Sequence, residues 1–187
     1  MRILYFTRAD SVHDQRFLAA LAESGHEGFV LRLRPGEYPT PSGITPLEWS
    51  GTKSQLTEND IPRLTQELSD ILKEVQPDLV HAGPLQDLAF LVARTGFTPL
   101  LSMSWGFDLM HDVLVSPDAA EKARFALGHS TRLITDAHCS AAQAVRRSEE
   151  APSRAGLRPP LKPCIQFSRT RLSQRCLVEG SKKKSMR

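Results

Sequence analysis

Apolar and polar positions change period several times along the first 147 residues, and each change predicts an element. "RILYFT" (2–7) is a short β-branched and aromatic run of the kind that forms a buried strand. "DSVHDQRFLAALAESGHE" (10–27) then sets Phe17, Leu18 and Leu21 on one helical face, with Gly25 as the stop. "GFVLRL" (28–33) predicts a second strand. Ile61, Leu64, Leu68, Ile71, Leu72 and Val75 recur at three- and four-residue steps and make the clearest amphipathic helix in the chain. Asn59 or Asp60 is its expected cap, and Pro62 suits its first turn. Three further strands come in "QPDLVHAG", "TPLLSMS" and "TRLITD", near 78–82, 98–103 and 131–135. Helices fall in "LQDLAFLVARTG", in "SPDAAEKARFALGHS" with Ser116 or Pro117 at its start, and in "SAAQAVRRSEE".

Five strands alternating with helices predict an α/β fold: a Rossmann-like three-layer domain with a mainly parallel sheet and right-handed crossovers. Residues 35–54, crowded with Pro, Gly, Ser and Thr, read as a long exposed loop. Ligands of such sheets sit beyond the carboxyl ends of the strands, where the strand order reverses. Polar loops leave those ends after Thr7, after His81 and after Ser102, so "SMSWGFDLMHD" (102–112) lies where a site is expected.

Composition divides the chain in two. Of the 24 Lys and Arg, ten lie from Ser148 onward, with only three of the 21 Asp and Glu. Residues 1–147 are therefore mildly acidic, and the basic surplus belongs to the end of the chain. That body offers no electrostatic footprint for nucleic acid. Cys139, Cys164 and Cys176 form no CxxC and no even set, which fits reduced thiols and a cytoplasmic protein. No apolar run reaches the roughly 18 residues of a membrane span. Membrane contact is at most peripheral, through a run as short as Lys182–Lys184.

The loops at the strand ends argue against several chemistries. After the first strand stands "TRADSVHD", without the G-x-G-x-x-G turn that lets a backbone approach a pyrophosphate. No phosphate loop of the G-x-x-x-x-G-K-[ST] type occurs. "SMSWG" lacks the first glycine of a hydrolase elbow. The six histidines show no zinc spacing, and His138 beside Cys139 is a poor ligand set, so no metal is expected. A response-regulator-like domain would need an acidic cluster after the first strand, and only Asp10 lies close by.

Three ordered stretches carry a resemblance. "SVHDQRFLAALAESGHE", "KEVQPDLVHAGPLQDLAFLVARTGFTPLLSMSWGFDLM" and "RLITDAHCSAAQAV" together resemble the N-terminal domain of family-4 glycosyltransferases over residues 1–146. The resemblance implies one half of a GT-B enzyme, in which two Rossmann-like domains face each other across a cleft. Such enzymes move a sugar from a nucleotide-sugar donor to an acceptor. That implies a glycan or glycolipid acceptor in polysaccharide biosynthesis, no cofactor beyond the nucleotide-sugar substrate, and no nucleic-acid partner. The N-terminal half holds the acceptor; the C-terminal half grips the nucleotide and carries a Glu-x7-Glu signature.

Site residues are suggested by that likeness. His13 and Arg16 stand where the first loop meets a helix start, either as ligands for an anion or as a solvated first turn. Trp105 offers a flat face to a sugar and Asp108, the candidate catalytic residue, an acceptor for its hydroxyls. Alternatively the indole packs under the sheet edge and Asp108 caps the next turn. Gly106 fits a backbone turn in either case. His81 ends a strand, reaching the cleft or serving as a core histidine. Here the chain departs from its relatives, with "HAGP" for the more usual "HAH", and it lacks their paired glycine after the first strand. Asp87 reads as a solvated helix carboxylate, and His111 and Asp112 as surface residues.

From Ser148 the likeness dissolves into clustered prolines and scattered basic residues, a stretch expected to stay disordered. No Glu-x7-Glu unit occurs there. The expectation is a chain cut or shifted in frame near 147–165, with a donor domain absent and little activity alone. The other reading is a non-catalytic remnant, or a binding subunit completed by a separate donor-domain chain.

Overall fold

The computed structural model describes residues 1–9, 11–36, 38–53, 57–135, 140, 142–144, 146 and 163–165. Among them the chain forms β1 (Arg2–Thr7), α1 (Val12–Glu23), β2 (Glu27–Arg32), β3 (Ile44–Leu47) and α2 (Ile61–Val75). Next come β4 (Leu79–Gly83), a wide π-type turn (Leu85–Ala89) running on as α3 (Phe90–Thr95), and β5 (Leu100–Met103). A second π-type turn (Asp108–Asp112) runs into α4 (Val113–Val115), then come α5 (Pro117–His129), β6 (Arg132–Thr135) and β7 (Pro163–Ile165).

All strands pair in parallel, in the order β3-β2-β1-β4-β5-β6-β7. The α/β parallel sheet read from the sequence is thus present. The order reverses between β1 and β4, where Thr7 pairs beside Gly83. That reversal is the switch point of the sheet.

Each face of the sheet has its own core. α1 seats Leu18 over Tyr5, Val30, Ile44 and Met103, with Phe17 and Leu21 partly buried at the margin. On the other face α2, α3 and α5 cover Leu4, Phe6, Leu31, Val80, Ala82, Leu100 and Leu133. The apolar stripe of α2 does what its spacing demands: Ile61, Leu64, Leu68, Leu72 and Val75 are all buried. Full burial of a leucine contributes about 1.5–3 kcal/mol, so this one stripe outweighs any single polar contact on the helix.

Three expectations need correction. Residues 35–54 are not only a loop, because "ITPL" adds β3 and Trp49 folds into the core, its indole N–H donating to the Arg32 carbonyl at 2.7 Å. Pro46 hides the strand from a sequence reading, yet an edge position tolerates it. Asp60 stands at the α2 N-cap without capping; its carboxylate takes hydrogen bonds from Thr57 and Arg63 instead. Finally, Pro163–Ile165 extends the sheet beside β6, inside the stretch expected to be without structure. A short strand finds a template in the open edge of β6 that its own composition does not advertise. The rest of the expected tail, with Cys176, lies outside the described residues, as does Cys139.

Ser116 caps α5 as expected, its hydroxyl accepting from the Ala119 N–H at 3.2 Å. Gly83 is fixed by a close approach: a Cβ there would stand 2.4 Å from the Met103 carbonyl oxygen of the neighbouring strand. Gly128, late in α5, has open space around the same atom. Gly83→Ala is therefore expected to cost about 1–3 kcal/mol through overpacking against backbone. Gly128→Ala should raise stability by about 0.5–1 kcal/mol by favouring the helix. Urea denaturation of the two variants checks the contrast, and equal shifts would contradict it.

Candidate functional site

Two buried carboxylates build the rim at the switch point. The first is Asp14, only 2% exposed, in the first turn of α1. Its Oδ1 accepts from the Tyr5 hydroxyl at 2.8 Å and the Thr7 hydroxyl at 2.7 Å. Its Oδ2 accepts from the Ser11 N–H at 2.8 Å and the Ser11 hydroxyl at 2.7 Å. The Ser11 oxygen in turn accepts from the Asp14 N–H, closing a capping box. Burial first, and Asp14 beside it, push the Tyr5 phenol far above its usual range, so Tyr5 remains a donor. Strand β1 and helix α1 are thereby locked at one angle.

The second is Asp108, wholly enclosed after β5. Its Oδ1 accepts from the Ser104 hydroxyl at 2.6 Å and the Leu109 N–H at 3.0 Å. Its Oδ2 accepts from the Leu85 N–H at 3.1 Å, the first amide of the helical segment after β4. Burial raises the carboxyl above its ordinary value, while the Ser104 hydroxyl and the backbone amides pull it back. Asp108 is thus a clamp between the exits of β4 and β5. The expectation that its oxygens face sugar hydroxyls meets a carboxylate whose acceptors are already engaged inside the protein. Between Ser104 and Asp108 the chain turns at Gly106, with φ of 83°, where a side chain would be strained.

That turn carries Trp105 to the rim. The indole is half-buried, packed at the margin of the α1 core, with the exposed His13 ring edge-on at 5.7 Å between centroids. Arg16 stands exposed about a turn further along α1. His13 and Trp105 are thus brought together, and Asp108 lies behind the same turn. His81 points elsewhere: it lies beneath α1, edge-on to Tyr5 at 5.0 Å and to Phe17 at 5.4 Å, 8% exposed. Its Nε2 is buried without a hydrogen-bond partner.

Arg8, Asp14, Asp87 and Phe107 are rim residues that the sequence pattern does not single out as binding groups. Arg8, first past β1, pairs with Asp87 across 79 residues and lies over the Phe107 ring at 5.6 Å. Asp87, 21% exposed, is therefore tied to the rim rather than merely solvated. Asp112, read as a surface residue, accepts from the Gln86 amide at 2.6 Å and meets the exposed His111 ring at 2.9 Å. The Ser11…Asp14 spacing is a capping-box signal that a sequence can give; the Arg8–Asp87 and Leu85–Asp108 links have no local signal. A shallow groove on the outer side of α2, lined by Arg63, Gln66, Glu67 and Asp70, lies away from the strand ends. Its Arg63 already pairs with Asp60 and Glu67. Among the described residues no group of three His, Cys, Asp or Glu is placed to hold a metal ion. Nor is any described helix long and apolar enough to cross a membrane.

A Rossmann-like parallel sheet whose exit loops gather at the β1/β4 reversal defines the class of this domain. The model of the glycosyl transferase 4-like family matches residues 2–137, and the chain belongs to that family. No curated protein matches closely enough to count as a relative.

Burial lowers the His81 imidazole from 6.5 to about 4. Above pH 6.5 the ring is neutral in both folded and unfolded chains and costs nothing. As pH falls below 6.5 the unfolded chain binds a proton that the folded one refuses, so stability declines until about pH 4 and then levels. The full loss is on the order of 3 kcal/mol. A His81→Leu variant should lack this component. Denaturation of both proteins across the interval checks it; parallel pH curves would refute it.

Proposed function

We propose that this domain is the acceptor-side half of a glycosyltransferase, holding a glycan or lipid-linked acceptor while a sugar is transferred from a nucleotide-sugar donor. The observation that carries the reading is the Trp105 turn, a half-buried indole held at the switch point of a family-4 domain. An indole face suits the apolar C–H face of a sugar ring, and the adjoining His13 supplies a polar edge beside it. Arg16 stands close enough along α1 to reach the more distal part of an acceptor. His81, enclosed under α1, supports this surface from beneath and offers nothing to a ligand in this arrangement.

Transfer also needs the leaving nucleotide diphosphate stabilised as charge develops on it. In this reading that work falls to a donor-side domain across the cleft, and residues 1–187 alone turn over little or no nucleotide sugar. A second reading, the binding subunit of a split enzyme, gains from the enclosure of Asp108, whose three donors leave it a positioning residue. A catalytic group would then come from the partner.

Two measurements test these statements. Acceptor glycans should bind the chain and perturb the Trp105 indole, and Trp105→Ala should weaken binding by about tenfold or more, as for a buried aromatic anchor. Unchanged affinity in the variant would remove the site. A turnover assay with a panel of nucleotide sugars should give no transfer, and rapid transfer by the purified chain would overturn the half-site reading.

A further inference from the structure

Phosphate is usually bound in parallel α/β sheets at helix N-termini that open on the switch point, where free N–H groups and the helix dipole favour an anion. Two helical segments open there in this chain, α1 after β1 and the segment 85–95 after β4. At each of these ends one amide is already held by a carboxylate. The Ser11 N–H is taken by Asp14 at 2.8 Å, and the Leu85 N–H by Asp108 at 3.1 Å. Neither carboxylate is exposed by more than 2%. Each sets a carboxylate against the roughly half positive charge of a helix end, which opposes an incoming anion.

The remaining charges agree. Arg8, the cation nearest the reversal, is neutralised by Asp87. Asp112 adds a carboxylate behind Gln86. Asp14, Asp87, Asp108 and Asp112 thus stand against Arg8 and the exposed Arg16 on the segments that open at the reversal, with Arg32 and Arg34 leaving β2 on the far side of β1. We infer that Asp14 and Asp108 determine ligand charge at this rim: they close both helix ends to phosphate and leave a surface for uncharged, hydroxyl-bearing groups. The inference rests on the acceptor-side reading and narrows it, because the group held against Trp105 is then a neutral sugar rather than a phosphorylated one. An entering phosphate would have to displace a carboxylate that is wedged between strand and helix. A hydroxyl meets no such repulsion, and the ring of Trp105 needs no charge to hold it.

The test monitors backbone amide and indole signals of the full chain by nuclear magnetic resonance in two titrations. One uses inorganic pyrophosphate, the other a set of neutral disaccharides. With pyrophosphate, the Ser11 and Leu85 amides of the native chain should stay unmoved into the millimolar range. In Asp108→Asn, which keeps the shape and removes the charge, the Leu85 amide should respond with about tenfold higher affinity. Asp14→Asn should do the same at Ser11. Saturable micromolar binding of pyrophosphate at either amide of the native chain would overturn the inference. So would two folded variants that respond no better than the native chain. If both variants unfold, the native titration alone decides. The disaccharide arm separates this from the broader reading: sugars that leave the Trp105 indole unmoved would sink the acceptor site while the charge rule stands.

Discussion

A carboxylate removed from water must have its oxygens satisfied by the protein, and in this domain that requirement fixes the path of the chain. Asp14 collects donors from β1, from the loop and from the cap of α1. With four hydrogen bonds converging on one group, the loop from Thr7 to Ser11 has few places to go. The sheet and α1 would still attract each other through Leu18, Tyr5 and Val30, since apolar burial is non-directional. It is the carboxylate that selects one orientation among the many that such burial allows.

Asp108 repeats the device on the other side of the switch point, joining Ser104, Leu109 and the distant Leu85. The Arg8–Asp87 pair, with Phe107 beneath the guanidinium, links the first of these assemblies to the second. Three strand exits become one surface, and Trp105 stands between them. Of the polar groups that the sequence offers as candidates, Asp108 is spent on this internal framework, while His13 and Arg16 stay exposed. What reaches solvent includes the half-buried Trp105 indole, the exposed Phe107 ring and the exposed Arg16.

The sheet was largely legible because its signals are local. Continuous apolar runs such as "RILYFT", and the 15-residue stripe from Ile61 to Val75, carry their signal in neighbouring residues. β3 was not legible, since Pro46 argues against a strand everywhere but at an edge, and edge position is a property of the whole sheet. The same divide runs through the site. Trp105 and His13 were picked out as candidates from strand exits and family likeness, and the fold sets their rings side by side. The enclosure of Asp108 was hidden, because its partner Leu85 lies 23 residues away and contributes only a backbone N–H. A main-chain donor has no letter in the sequence. Arg8 and Asp87, 79 residues apart, pair only once β1 and β4 have become neighbours.

The four-residue β3 has a bearing on how copies of this chain behave when crowded. Open flanks of a sheet invite strands from other molecules to add on, and brevity and proline are two natural defences against such growth. Ile44–Leu47 has both: it is too short to template a long ladder, and Pro46 contributes no amide hydrogen to one. That flank is therefore a poor template for strand addition, and the proline that concealed the strand is part of the reason.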